Sequence, residues 1–425
     1  MSKLYEKTTL ANGVRVVTGE MTGVRSASLI FYFDVGSRLE QAEYQGMSHF
    51  LEHMLFKGTP KRPDPIMISQ AIEGIGGVLN AGTGRESTSY WAKVPSTHYA
   101  MAFEVLADII QNSVIDPAEI DKERSVIIEE IRSTLDAPED LVHDVIDEVI
   151  WGEQNAGRSI AGSEGTVTAI DRERMHSFWR RNYRPDRLVI ASGGDVTHAQ
   201  AVALAEEHFA GLTAAGEPDA PDNSASDQKE LRVRLVERDT EQAHLCIGMP
   251  ALPYVTDRRY VQGTIEAILS SGMSSRLFQE IREKRGLVYS VYGYFRPYED
   301  VGQGVIAAGT DLDRVEEAVG AIAQELKKLR DEGVPEEELQ RTKDLRKGRL
   351  LMGLEDSRSV TSWIGSQELT YGEIRTPEEV MEKIEKVTAA DVKELAEELF
   401  QTEKFSLALI GPYSDPEPFK ALLQI

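Results

Sequence analysis

His49, Glu52 and His53 stand at i, i+3 and i+4 in the run His49-Phe50-Leu51-Glu52-His53. On a helix of about 3.6 residues per turn these three side chains project from one side. Two neutral imidazoles four residues apart can share one Zn²⁺ at roughly 2.0–2.1 Å each, and the carboxylate between them can reach a water on that metal. The order His-x-x-Glu-His inverts the more familiar zinc-peptidase pattern His-Glu-x-x-His. A site of this kind needs a third protein ligand. The long amphipathic stretch from Pro117 to Leu135 offers Glu123 and Glu130, seven residues apart and therefore on one helix face. Glu129 projects about 100° away from Glu130 and belongs in solvent or a surface ion pair. The other histidines show no ligand spacing.

These residues resemble the pitrilysin/insulinase family of inverted-motif zinc peptidases, and most closely its bacterial processing-peptidase-like branch. In that family the third ligand is a Glu 77 residues beyond the second His, with another acidic residue seven positions earlier; His53 plus 77 is Glu130, and seven before it is Glu123. The resemblance implies one Zn²⁺ per chain, held by His49, His53 and Glu130 with water in the fourth position. It makes Glu52 the general base, and Glu123 a residue that orients His53 or a neighbouring group. It extends over essentially the whole chain, from the first strand to Gly411.

Composition agrees with such an enzyme. At 425 residues the chain exceeds what one hydrophobic core supports, so two domains are expected, and 41% hydrophobic residues is ordinary for a folded chain. The formal net charge of −24 argues against a nucleic-acid partner; it reads either as simple solubility, which accounts for most of it, or as attraction of basic peptides. The single Cys246 forbids an intrachain disulfide and reads as a core residue. No run approaches the ~18 apolar residues of a membrane span, and the opening residues lack the apolar stretch of a secretion signal. The cytoplasm is the expected compartment.

The segment from Thr213 to Asp227 is rich in Pro, Ser, Ala and acids without periodicity, and reads as a flexible connector. The halves on either side look like diverged copies. Val167-Thr-Ala-Ile-Asp171 recurs as Val387-Thr-Ala-Ala-Asp391, each opening a helical stretch that precedes an apolar strand. The expected fold is α+β: two homologous domains, 1–212 and 231–425, joined by a linker at 213–230. Each is a mostly antiparallel sheet with helices packed on one face. The resemblance adds that the pair forms half of a clamshell.

The copies differ chemically. Where the first half has its two histidines, the second has Gly263 and Ala267, so it cannot hold the metal. It carries instead Arg282-Glu-Lys-Arg-Gly-Leu-Val-Tyr289. By the resemblance, Arg282 and Tyr289 reach the zinc site, where a guanidinium and a phenol can donate to the substrate backbone and a developing oxyanion. The Gly-rich segment from Gly76 to Trp91 suits an exposed sheet edge to which an extended peptide could add as a strand. Asn80 and Ala81 match the family's main-chain binding positions there, and Thr88, Ser89 and Tyr90 read as ordinary edge residues.

The expected function is that of a zinc metalloendopeptidase hydrolysing peptides or extended polypeptide segments inside a closed chamber. The competing class is a non-catalytic structural or partner subunit, as the same family also contains. By the resemblance, chains of about this length complete the shell by pairing with a copy or a related partner; because this chain holds both the zinc motif and Arg282/Tyr289, a homodimer is the expected assembly.

Overall fold

The computed structural model describes residues 5–221, 223–226 and 228–425. In chain order the first half reads β1 (Glu6–Thr9), β2 (Arg15–Glu20), β3 (Ser26–Phe33), α1 (Met47–Leu55), α2 (Pro65–Glu73), β4 (Val78–Thr83), β5 (Thr88–Pro95), α3 (Tyr99–Asn112), α4 (Pro117–Asp136), α5 (Pro138–Trp151), α6 (Glu164–Ala169), α7 (Arg172–Asn182), β6 (Leu188–Gly194) and α8 (His198–Phe209). The second reads β7 (Arg232–Glu237), β8 (Gln242–Ala251), α9 (Arg259–Ser270), β9 (Val288–Pro297), β10 (Gly302–Asp311), α10 (Val315–Glu332), α11 (Glu336–Gly353), α12 (Ser357–Tyr371), α13 (Pro377–Glu385), α14 (Ala389–Leu399), β11 (Ser406–Gly411) and α15 (Glu417–Leu422). No helix among the described residues is long and apolar enough to cross a membrane.

Two sheets result, in the orders β1-β2-β6-β3-β5-β4 and β7-β11-β8-β10-β9. Apart from β1 the two orders are the same, as a duplication requires. Each sheet is antiparallel except for one parallel pair, β2 with β6 and β7 with β11. The period-2 alternation of strands decides which side chains meet the helices. Leu29, Phe31 and Phe33 of β3 and Tyr90, Ala92 and Val94 of β5 enter a core shared with α1, α3 and α8. Burying each large apolar side chain there contributes about 1.5–3 kcal/mol.

The expected layering gains a third layer. The other face of the first sheet is covered by α12, whose Ile364 packs on Val17, Val189 and Ala191. The matching face of the second sheet is covered by α5, through Val142, Val145, Ile146 and Ile150. These helices lie close. A Cβ at Gly193 would sit 2.5 Å from Thr361 Oγ1, and one at Gly248 would sit 2.6 Å from the Ile150 side chain.

The compact units are therefore not the contiguous segments 1–212 and 231–425. The first contains Met1–Ile131, Ser159–Asp222 and Leu351–Thr376; the second contains Arg132–Arg158, Asn223–Leu350 and Pro377–Ile425. Each half lends the other one long helix. The buried face of α5 is an apolar stripe and that of α12 is a mixture of small, polar and a few apolar residues, and sequence alone does not say which sheet will cover either.

The connector is also more ordered than its composition suggests. Asp219 pairs with Arg181 at 3.1 Å, accepts from Asn182 at 2.7 Å and gives its carbonyl to Arg187. Ser224 donates from its backbone to Asp300, and its hydroxyl lies 3.0 Å from Asn155 Oδ1. Each end is thus fastened to its own unit. Asp222 and Asp227 of the connector, and Met1–Leu4 of the opening segment, lie outside the described residues.

The repeated Val-Thr-Ala motif opens a helix in both copies from different positions. Thr388 caps α14 in a reciprocal box with Asp391, whereas Asp171 itself caps α7. A short α6 ahead of α7 takes up the first motif's Val167 and Ala169.

Candidate active site

Met47, Phe50, Leu51, Met54 and Leu55 bury one face of α1, which leaves His49, Glu52 and His53 half-buried on the other. The helix begins at Gly46, whose φ of 95° lies in the left-handed region, and it has no side-chain cap of its own. Its first N–H groups are satisfied from outside. The buried Glu40 carboxylate accepts from the Gly46 and Ser48 amides, both at 2.7 Å. Burial pushes Glu40 up to about 7, although those amides favour its charged form.

The second wall is α4, which buries Ile120, Glu123, Ile127 and Ile131. Arg124 anchors it by donating to the carbonyls of Val167 and Ile170, while lying 5.7 Å from the Phe50 ring centroid. This seats Glu123 and Glu130 against α1. His49, His53 and Glu130 each offer a ligand atom, all within 4.8 Å of one another. The two Nε2 atoms are 3.1 Å apart, and Glu130 Oε2 is 3.9 Å from each. Behind them, His53 Nδ1 lies 2.8 Å from Glu123 Oε1, and Lys57 Nζ lies 2.5 Å from Glu123 Oε2.

Burial acts alike on the two imidazoles, and their charged neighbours set them apart. Burial, and then the charge of His53, pull His49 down to about 4. Burial also pulls His53 down, but the hydrogen bond to Glu123 and the charges of Glu130 and Glu52 outweigh it and leave His53 raised. Burial pushes Glu123 up, and the bonds from His53 and Lys57 more than reverse this, holding it below the usual carboxylate range. Glu52 is raised by burial, partly offset by a 2.5 Å hydrogen bond from Thr83 Oγ1.

These donors fit Zn²⁺. A carboxylate only accepts, so Glu123 fixes the His53 proton on Nδ1 and turns the Nε2 lone pair toward His49 and Glu130. Two neutral Nε2 lone pairs facing each other at 3.1 Å repel unless a cation or proton lies between them. Two imidazoles and a carboxylate are one of the donor sets of catalytic zinc. Glu130 is 48% exposed, which leaves solvent access on its side of the cluster.

Glu129 is exposed and is not a member of the cluster. Asn80 and Ala81 lie on β4, the edge strand, where Asn80 Oδ1 accepts from the Ala81 amide at 2.8 Å. Thr88, Ser89 and Tyr90 are not edge residues: they begin β5, paired on both sides, and Thr88 and Tyr90 are fully buried. Arg282, on a π-helical segment from Phe278 to Lys284, and Tyr289, on the edge strand β9, belong to the second unit. The guanidinium lies 5.4 Å from the Tyr289 ring centroid, and Tyr289 is 80% exposed. Three residues in contact with the site machinery escaped the sequence reading: Glu40, Lys57 and Thr83. Lys57 stands four residues after His53, just past the end of α1 at Leu55, and that nearness to the motif was an available signal. The contacts of Glu40 and Thr83 span non-helical segments and leave no such trace.

Two family models match the chain. The one described as insulinase (peptidase family M16) matches residues 15–164, and the one described as peptidase M16 inactive domain matches residues 169–345. An uncharacterized zinc protease of Streptomyces coelicolor is 38% identical over 416 residues, covering 97% of this chain and 90% of its own length. The uncharacterized zinc protease YmxG of Bacillus subtilis is 36% identical over 409 residues, covering 96% and 98%. Among solved structures, a protease from Helicobacter pylori superposes with a TM-score of 0.91 at 21% identity, covering 96% of this chain and 99% of that one. At that identity the likeness concerns the fold.

Proposed function

This chain belongs to the insulinase family, peptidase family M16, and on that premise we propose that it is a zinc metalloendopeptidase acting on extended peptide segments. The observation that carries the proposal is the convergence of His49 Nε2, His53 Nε2 and a Glu130 oxygen beside the half-buried Glu52. One Zn²⁺ held there supplies Lewis acidity toward a carbonyl oxygen and acidifies water. Glu52 accepts a proton from the water nucleophile and returns it to the leaving amine. Glu123, with Lys57 behind it, keeps the His53 tautomer and ring orientation. The free edge of β4 around Asn80 and Ala81 binds substrate main chain as an added strand. Arg282 and Tyr289 donate to the substrate and to the oxyanion.

Two copies are proposed to pair around a closed chamber in the cytoplasm, with the charge of −24 per chain favouring basic peptides at low salt. Metal analysis of the purified protein, joined to cleavage of a quenched fluorescent peptide with and without chelator, tests the central reading. One zinc per chain and chelator-sensitive cleavage are expected. Bound zinc with no cleavage of any of a panel of peptides would return the chain to the non-catalytic alternative. Light scattering during turnover tests the pairing: a fully active monomer rejects it.

A further inference from the structure

We infer that Thr83 is the positioning residue for Glu52, and that the β4–β5 hairpin is built to hold its hydroxyl still. The inference rests on the peptidase reading for its catalytic meaning. Its geometry stands independently. Glu52 projects half-buried from α1 on a side chain with three rotatable bonds, within the field of the Glu130 carboxylate. An unanchored glutamate samples several rotamers there, and a base that must meet one water and one amine gains from having one. Thr83 Oγ1 donates to Glu52 Oε2 at 2.5 Å, the short range of an O–H···O⁻ bond.

The donor is stiff for reasons visible in the fold. Thr is β-branched, which restricts its χ1. Thr83 is the last residue of β4 and pairs with Thr88 of β5. The intervening turn is closed by the Gly84 amide on the Ser87 carbonyl at 2.7 Å. Its outer side is fastened to the chain before α1. The Ser37 and Arg38 amides donate to the carbonyls of Gly84 and Arg85 at 3.1 and 2.9 Å, and buried Arg38 pairs with Glu86 at 2.7 Å. The Thr88 hydroxyl donates to the Val35 carbonyl at 2.8 Å. Gly36 allows this approach, because a Cβ there would lie 2.5 Å from the Arg85 backbone. Two residues beyond Arg38, Glu40 caps α1. One continuous stretch, 35–40, therefore ties down both the hairpin that carries the donor and the helix that carries the acceptor.

The test compares zinc-loaded wild type, Thr83→Val and Thr83→Ser. Valine keeps the branched shape and the strand propensity while removing the hydroxyl; serine restores the hydroxyl. Crystal structures should show the Glu52 carboxylate fixed on residue 83 in wild type and Thr83→Ser, and displaced or split between rotamers in Thr83→Val. Zinc content should be equal in all three. Turnover of a fluorescent peptide by Thr83→Val should fall about 10–100-fold with KM nearly unchanged, and Thr83→Ser should recover most of it. Should Thr83→Val fold poorly, Thr83→Ala serves in its place, again against the serine rescue. A Glu52 carboxylate that keeps its place without the hydroxyl, or a Thr83→Val enzyme with wild-type turnover, overturns the inference. If wild type itself cleaves nothing, the peptidase reading fails, and the Glu52 positions in the crystals still decide whether Thr83 holds it.

Discussion

Helices α1 and α9 occupy the same place in two sheets that share a strand order apart from β1, and their comparison shows how one copy of a duplicated fold can gather three metal-ligating side chains where the other places an arginine. His49 and His53 correspond, 214 residues on, to Gly263 and Ala267, and Glu52 corresponds to Glu266. The acid survives in both and meets the same element in both. Glu52 accepts from Thr83 at the end of edge strand β4, and Glu266 accepts from the Phe295 amide of edge strand β9 at 3.4 Å. Burial raises both carboxyls. What differs is the cation. In the second unit Arg346 of α11, the counterpart of α4, donates to the Tyr260 carbonyl at 2.8 Å and to Thr264 Oγ1 at 2.5 Å. It lies over Gly263, where a Cβ would be 2.6 Å from its Nη2. Desolvation pulls this guanidinium down to about 10, against the attraction of Glu266. Glycine at 263, in place of an imidazole, leaves room for a covalently attached cation.

The largest expected effect separates the two acids. Glu52→Gln should keep zinc and lose about 10²–10⁴-fold in turnover, since the amide cannot take a proton. Glu266→Gln should leave turnover and zinc intact. Equal losses from both, measured with one fluorescent peptide, would break the comparison.

Next comes the support of the candidate metal ligands, for which the second unit has no counterpart. Lys57→Met leaves the His53–Glu123 bond without its charge balance. It should weaken zinc affinity about 10–100-fold, the range for loss of an outer-shell partner. Competition with a fluorescent chelator measures this, and an unchanged affinity would make Lys57 a surface cation.

The second unit's own cation is tested by Arg346→Met, which removes two hydrogen bonds from a half-buried guanidinium. The loss should cost about 1.5–3 kcal/mol in urea unfolding while zinc binding stays as in wild type. Stability indistinguishable from wild type would show that Arg346 merely fills space.

The smallest effect is a pH dependence at the start of α1. Glu40's folded value, about 7, lies above its ordinary 4.5, so the folded chain holds the extra proton. Its contribution to stability is full below the ordinary carboxylate range and lost as pH rises through about 7. Glu40→Gln cannot titrate. Its stability deficit, on the order of 1–3 kcal/mol, should therefore be largest near pH 5 and narrow toward pH 8. Urea melts at both pH values check this, and a deficit that widens with pH would mean that Glu40 is ionised when folded.

Much of the site was legible because it is helical. His49, Glu52 and His53 lie within five residues, and Glu123 and Glu130 within eight, so helix geometry alone places each set on a face. The strands heading the two halves and the duplication were legible for the same reason, as local patterns. The β4–β5 hairpin was read as one edge segment, although only β4 is at the edge. The residues from Thr88 onward are small and polar at first, and whether such a strand is flanked on both sides depends on β3, some 60 residues earlier.

By itself the sequence determined which helix faces carry the candidate donors and that the two halves repeat, since each follows from a local pattern along a short stretch of chain; the choice of Glu130 over Glu123 as third donor came from the family resemblance. Only the tertiary structure decided which sheet covers α5 and α12, where Glu40, Lys57 and Thr83 make their contacts, and that Arg346 lies over Gly263. The apolar stripe of α5 specifies that it will be buried without specifying its partner, and the small and polar face of α12 specifies neither. A hydrogen bond between residues tens of positions apart depends on backbone paths that no local period encodes.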